Sequence, residues 1–346
     1  MAPDRESILT STFRSLCNAL GVVLGAFLAL MLVIFTIVAF SPSENLPEKS
    51  ELTLAPDAEG KRVLLPSSSP AILRINLQGV IGLDALTTEN FQNLLSDSLE
   101  SPLGSTRIKA IFLYVNTPGG TVTDSASMYQ ALLDYKKKYN VPVYAFVDGL
   151  CASGGMYICS AADKIYASDS SLIGSVGVRM GPSFNFSDLM TKVGVQAITI
   201  TQGKDKDSLN PFRPWKPDED ASFTEITKEL YEQFVNIVIS GRPNLNREKL
   251  TQEYGAQVFL APTAQKFGYI DVAGADYALA MKDLVAASSI GENPYQVITL
   301  SRPENFFSQL TQSKFALLTG KVEHIIHLGP YMSTELSGQL LYLYQP

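Results

Sequence analysis

From Ser15 to Ser43 the chain reads SLCNALGVVLGAFLALMLVIFTIVAFSPS, without one charged residue. A helix that is apolar all round is either buried in a large core or surrounded by lipid. About 20 apolar residues cross a bilayer, and Leu20 to Phe40 meets that length. A secretory signal has a shorter apolar core and ends at a small-residue cleavage site. Phe40-Ser41-Pro42 is a poor one. The pattern therefore predicts a retained transmembrane helix over residues 16–40, behind a short N-terminus at 1–15. Arg5 and Arg14 precede the helix. Glu44, Glu48 and Glu51 follow it, with a lone Lys49. The basic flank stays in the cytoplasm, so the body of the chain is expected on the extracytoplasmic side.

That body has the texture of a packed domain. Residues 41–69 are rich in Ser, Pro and Glu and read as a stalk, ending in a short strand at Arg62–Leu65. From Ala71 to Thr201 strand and helix patterns alternate, the signature of βαβ units and a parallel sheet. AILRINLQG is a strand, and TENFQNLLSDSLES a helix with Phe91, Leu94, Leu95 and Leu99 on one face. IKAIFLYVNT reads as a strand buried on both faces. The helix that follows carries Asp124 near its start and three lysines in its last turn, as the macrodipole favours. VPVYAFVD is a strand, followed by a helix to about Asp163. Short strands are expected at Lys164–Ala167 and Val176–Met180, a helix at FNFSDLMTKVG and a strand at VQAITITQG. A long helix is expected at about Ala221–Ser240, an edge strand at GAQVF, and strands at YQVITL and GQLLYLYQ, the last also readable as an oligomer contact. FFSQLTQSKFALL is at best amphipathic. A core domain at 70–290 and a C-terminal extension at 291–346 follow from this reading.

Charge and cysteine content narrow the function. With 34 acidic against 27 basic residues the net charge is −7, which opposes nucleic acid as the main partner. Three cysteines are too few for a disulfide framework, and Cys151 and Cys159 read as small core residues. His324 and His327, spaced HIIH, match neither a triad nor a His-Glu-x-x-His metal site. They read as structural or surface groups, and no metal or cofactor is expected.

Four stretches ask for unusual backbone or charge. NTPGG (Asn116–Gly120) ends a buried strand with glycines that let N–H groups turn toward a bound carbonyl. In ASGGMYICSAAD, Ser153 stands at a strand-to-helix join, where either a helix cap or a nucleophile belongs. LIGSVGV places Ser175 at a tight bend, and TQGKDKDSLNP carries Lys204 and Lys206. A serine needs a base. Lysine can replace histidine if burial lowers its pKa from about 10.4 toward 7–8, which points to Lys204 or Lys206.

Taken in order, YVNTPGG, DGLCASGGMYICSAADKIYA, LIGSVGV and GKDKD resemble the short form of signal peptide peptidase A. This is a bacterial membrane serine peptidase family with the Clp protease/crotonase fold, an α/β fold of repeated β-β-α/βαβ units. The likeness runs from about Ala71 to Asp271, including GAQVFLAPTAQKFGYID. It implies Ser153 as nucleophile and Lys206, three residues after Gly203, as general base, with Lys204 the alternative. It implies Ser175 as the serine that orients the lysine, and the N–H groups of Gly120 and Gly154 as the oxyanion hole. Asp205 and Asp207, which would raise a neighbouring lysine pKa, are expected to point away. A homo-oligomeric ring or dome is implied, in which neighbouring subunits complete each active site. The expected location is the bacterial inner membrane, single-pass, and the expected substrates are signal peptide remnants. Stomatin-like membrane partners as substrates, an inactive scaffold and a crotonase-type acyl-CoA enzyme are the competing readings. The last would be soluble and would need no Ser–Lys pair.

Overall fold

The computed structural model describes residues 8–40, 50–100, 107–301 and 340–344. Two compact units make up the chain, Met1–Glu48 and Lys49–Pro346. In the first, helix α1 (Ile8–Phe40) contains a span, Ser11–Val33, of 23 residues with mean hydropathy 2.4. By length and composition it can cross a membrane. The helix begins upstream of the predicted 16–40 segment because no Gly or Pro interrupts Ile8–Ser15.

The second unit starts with β1 (Glu51–Ala55), β2 (Ala71–Gln78), α2 (Thr88–Asp97), β3 (Ile108–Thr117), β4 (Gly119–Thr121), α3 (Val122–Tyr139) and β5 (Val143–Ala152). It continues with α4 (Gly154–Cys159), β6 (Lys164–Ala167), β7 (Leu172–Gly174), α5 (Ser187–Lys192) and α6 (Ala221–Gly241). Then come α7 (Arg247–Lys249), a π-helical turn (Leu250–Tyr254), β8 (Val258–Leu260), α8 (Ala261–Phe267), β9 (Val272–Ala273), α9 (Tyr277–Ala287), β10 (Gln296–Ser301) and β11 (Leu341–Leu343). The main sheet has the order β1-β10-β2-β3-β5-β6-β9, with β7 on β5 and β8 on β7. Only β1–β10 and β7–β8 are antiparallel pairs in it. This is the parallel-rich α/β architecture that the alternating pattern predicts.

Side chains alternate across each inner strand, so the sheet serves two cores. Leu73, Ile75 and Leu77 of β2, Ile111, Leu113 and Val115 of β3 and Val143, Ala145 and Val147 of β5 join Phe91, Met128, Leu132, Tyr157 and Phe234 on one face. Ile72, Phe112, Tyr144 and Phe146 turn the other way and meet Ala280, Met281 and Leu284 of α9. Each fully buried large side chain contributes about 1.5–3 kcal/mol.

Some segments differ from the expectations. Arg62–Leu65 is not a strand; Glu51–Ala55 is, and it pairs with β10. The sheet thus takes one strand from the stretch read as stalk and one from the stretch read as C-terminal extension. The reason is that β10, buried at Val297, Ile298 and Leu300, would otherwise leave an open apolar edge. Val176–Met180 forms no strand; the strand there is β7, and Arg179 makes an isolated bridge to Leu341. The helix after Ser153 ends at Cys159, short of Asp163. VQAITITQG is not a strand either: every residue from Thr191 to Lys206 is exposed, Ile198 at 90% and Ile200 at 88%. FFSQLTQSKFALL, His324 and His327 lie outside the described residues. Cys151 and Cys159 are buried free thiols, and Cys17 is exposed.

One carboxylate ties two helix starts together. Asp124 accepts from Thr88 N–H at 2.9 Å and Thr88 Oγ1 at 2.6 Å, and Thr121 Oγ1 also donates to it. Burial alone would raise its pKa; the hydrogen bonds from Thr121 and Thr88 outweigh that and hold it below the ordinary carboxylate value. A depressed folded-state pKa contributes stability above the unfolded value of about 3.9 and loses it as pH falls through the folded value. Asp124→Ala should therefore lower stability by about 1–3 kcal/mol at pH 7. The gap from the parent should shrink below about pH 4 when urea midpoints are compared.

Candidate active site

Three parallel strands end at one place. Ala152, the last residue of β5, pairs with Gly174, the last of β7. The next residues, Ser153 and Ser175, leave the ladder together, both at positive φ, 54° and 55°. Ser153 N–H is held by Gly174 O at 2.9 Å, and Ser175 N–H by Gln257 O at 2.7 Å. Both serines are buried, Ser153 at 1% exposure and Ser175 at 6%.

The join itself separates a cap from a nucleophile. A capping serine sits in extended backbone and accepts from the first turn. Ser153 has φ 54°, ψ −115° and makes no side-chain cap bond. A non-glycine residue held there stores strain, which persists only where the surroundings over-determine it. Among the described residues its hydroxyl caps no N–H at the start of α4.

The surroundings that fix it are glycines. A Cβ on Gly120 would lie 1.8 Å from Ile81 O, and one on Gly119 2.6 Å from Gly154 N. A Cβ on Gly154 would meet Ser125 Oγ at 2.4 Å, and one on Gly155 the Thr117 methyl at 2.6 Å. The β3–β4 turn is pinned by Thr117, whose hydroxyl donates to Gly79 O at 2.6 Å and accepts from Gly119 N–H at 3.1 Å. Ile81 N–H donates to Gly119 O at 2.8 Å, and Thr121 N–H to Ile81 O at 3.0 Å. Gly120 and Gly154 are thus brought close beside Ser153, and Ser175 flanks it.

Lys206 and Lys204 lie elsewhere, on the exposed arm. Lys204 is 3.9 Å from Asp205. Asp207 is engaged by Arg213 Nε at 2.5 Å and Asn210 Nδ2 at 2.6 Å, so its charge is spent away from Lys206. Arg213 also donates to the Asp207 carbonyl and to Glu219, which accepts from Leu209 N–H at 2.9 Å and Lys216 N–H at 2.7 Å. The Arg213 guanidinium holds Glu219 down to about 2 and Asp207 below its usual range. This clamp fixes the turn that carries Lys206. Sequence reasoning missed it, although the RPWKPDED run next to KDKD carries the complementary charges. It also missed Arg179 and Tyr342, which flank the site. Among the described residues no cluster of three or more His, Cys, Asp or Glu could hold a metal.

The family model of peptidase family S49 matches residues 135–287, and the Clp protease model residues 54–173. A Synechocystis sp. protein named as a candidate protease is 30% identical over 241 residues, 68% of this chain and 84% of that protein. The chain belongs to peptidase family S49. Other relatives agree with the S49 assignment. An Enterococcus faecium protein named as a candidate signal peptide peptidase SppA is 28% identical over 271 residues, 74% of this chain and 76% of that protein. The chloroplastic serine protease SPPA of Arabidopsis thaliana is 30% identical over 213 residues, 60% of this chain and 30% of that protein.

In this S49 peptidase the glycine contacts make Gly120→Ala a stringent probe. Overpacking against Ile81 should cost about 1–3 kcal/mol or more, read as a lower urea midpoint. An unchanged midpoint would show that Ile81 backs away freely.

Proposed function

We propose that the chain is a membrane-anchored serine endopeptidase in which Ser153 is the nucleophile and Lys206 the general base. The observation that carries this reading is the strained, buried, uncapped serine among glycines at the head of a helix. Lys206, neutral, takes the Ser153 proton as Oγ attacks a peptide carbonyl. The N–H groups of Gly120 and Gly154 hold the developing oxyanion. The ammonium returns its proton to the leaving amine, and water then hydrolyses the acyl-enzyme. Ser175, side by side with Ser153, orients the lysine.

An amine can play this part only when taken out of water. In the single chain Lys206 is exposed, and so is the whole arm before it, including Val193, Val195, Ile198 and Ile200. Burying those apolar residues against a second copy supplies both the driving force for association and the dry surroundings for the amine. The reading is therefore a homo-oligomer whose neighbours complete each site. Helix α1 holds it in a bacterial inner membrane with the peptidase unit on the extracytoplasmic side. Signal peptide remnants and other hydrophobic membrane peptides are the substrates.

The test is turnover of a fluorogenic hydrophobic peptide by the detergent-solubilised chain. Ser153→Ala and Lys206→Ala should each lower kcat/KM by at least about 10³-fold without changing the unfolding temperature. Mixing the two variants should restore part of the activity, since some sites then combine an intact serine with an intact lysine. Undiminished hydrolysis by either variant alone would overturn the dyad. Arg213→Ala, which loosens the lysine turn, should lower kcat about 10- to 100-fold with little change in KM.

A further inference from the structure

One cation is buried without an opposite charge. Arg107, just ahead of β3, is 8% exposed. Its Nε donates to Ser69 O at 2.9 Å, and its Nη2 donates to Gln296 Oε1. Both acceptors are neutral. Gln296 is itself held, donating from Nε2 to Val63 O at 3.1 Å and to Leu65 O at 3.3 Å. Among the described residues no carboxylate pairs with Arg107. The six residues before it, SPLGST, carry no acid. Burial lowers the guanidinium pKa, with no neighbouring charge to counter it. Burying an unpaired cation is strongly unfavourable, so the position calls for an anion from outside the chain.

There is a place for one beside it. Arg107, Lys109, Ser67, Ser68, Ser289 and Asn293 line a cavity of about 350 Å³, within the roughly 300–1,000 Å³ of small-molecule sites. Among the described residues Tyr269 Oη is the one sealed side-chain polar atom that lacks a bond. Arg107 Nη1 makes no bond either, so it is open to the cavity that Arg107 lines. Lys109 reaches the same cavity through a register shift. Ala71 pairs with Ile108 but Ile72 with Ala110, which leaves Lys109 as an extra residue in β3. Such a bulge re-aims a side chain. Lys109 is half-buried and makes no ion pair among the described residues. Asn293 is fixed by its Nδ2, which donates to Ile290 O at 2.8 Å.

We propose that this cavity binds a phosphate monoester, carried on a small polyol or on a lipid. Arg107 and Lys109 supply two positive charges, and no residue lining the cavity supplies a negative one. A phosphate monoester carries close to two negative charges at pH 7. Its oxygens accept from Arg107 Nη1, Lys109 Nζ and the serine hydroxyls, and the bonds from the two cations are charge-assisted. A single carboxylate would answer only one of the charges. The cavity gathers three stretches of chain: the turn before β2, where Ser69 N–H donates to Pro66 O at 2.9 Å, the start of β3, and the turn after α9. A ligand there ties the three together. The ten residues of β3 separate it from the β3–β4 turn beside Ser153, about 30 Å along the strand. The site therefore stands apart from the catalytic reading and does not rest on it.

The test is calorimetric titration of the full chain in detergent with glycerol phosphate and, separately, with dihexanoyl phosphatidic acid. Glycerol and sodium chloride of matched ionic strength are the blanks. At least one phosphate probe should bind saturably and raise the unfolding temperature, as a ligand of the folded state must. Tighter binding of glycerol phosphate identifies a soluble ligand, and tighter binding of the lipid a membrane one. Lys109→Gln removes no bond of the fold. It should unfold at the parent temperature without ligand and bind the probe about three- to tenfold more weakly. Arg107→Gln should bind at least about tenfold more weakly. No saturable binding of either probe, or an affinity unchanged in Lys109→Gln, overturns the proposal. Succinate binding more tightly than glycerol phosphate overturns it too, since the cavity would then be a carboxylate site.

Discussion

Everything near the candidate site depends on how closely one piece of backbone approaches another. Gly119, Gly120, Gly154 and Gly155 leave no room for a Cβ beside Gly154 N, Ile81, Ser125 and Thr117 respectively. That contact lets the ends of β3 and β5 meet, and it forces the serine between them out of ordinary backbone geometry. A strained residue at such a join needs an over-determined frame. The parallel strands, buried on both faces, supply it.

The two serines follow from the same constraint. Because Ala152 and Gly174 are partners in the ladder, the chain delivers Ser153 and Ser175 at one level. Neither depends on a flexible loop. The lysine arm is the opposite case, an exposed stretch anchored at its base by the Arg213, Asp207 and Glu219 cluster. One chain thus combines a rigid frame around two serines with an apolar arm left exposed.

How far this was legible in the sequence varies by element for physical reasons. β3 and β5 were plain because strands buried on both faces read as largely unbroken apolar runs, and β2 because Leu73, Ile75 and Leu77 alternate with polar residues. Helix α3 announced itself by Asp124 and its three terminal lysines. The serine join could be located from its glycines, but its strain could not, since φ and ψ depend on the packing around Ile81 and Ser125. Residues 195–202 misled because alternating apolar residues report a surface to be covered, not who covers it. β1 was hidden by distance: its partner β10 lies 250 residues away along the chain at the Glu51–Ser301 pair. β11 was recognised as a strand in GQLLYLYQ, yet nothing in those letters names Gly120 as its partner.

The bare arm has a consequence for timing. If Lys206 is the base, as proposed, a lone copy carries a serine frame without its activating amine and would be silent. On the proposed shared-site reading, chemical competence would arrive only when copies meet, and local abundance would become the safety catch. Such a peptidase would need no removable pro-segment to stay silent during biogenesis.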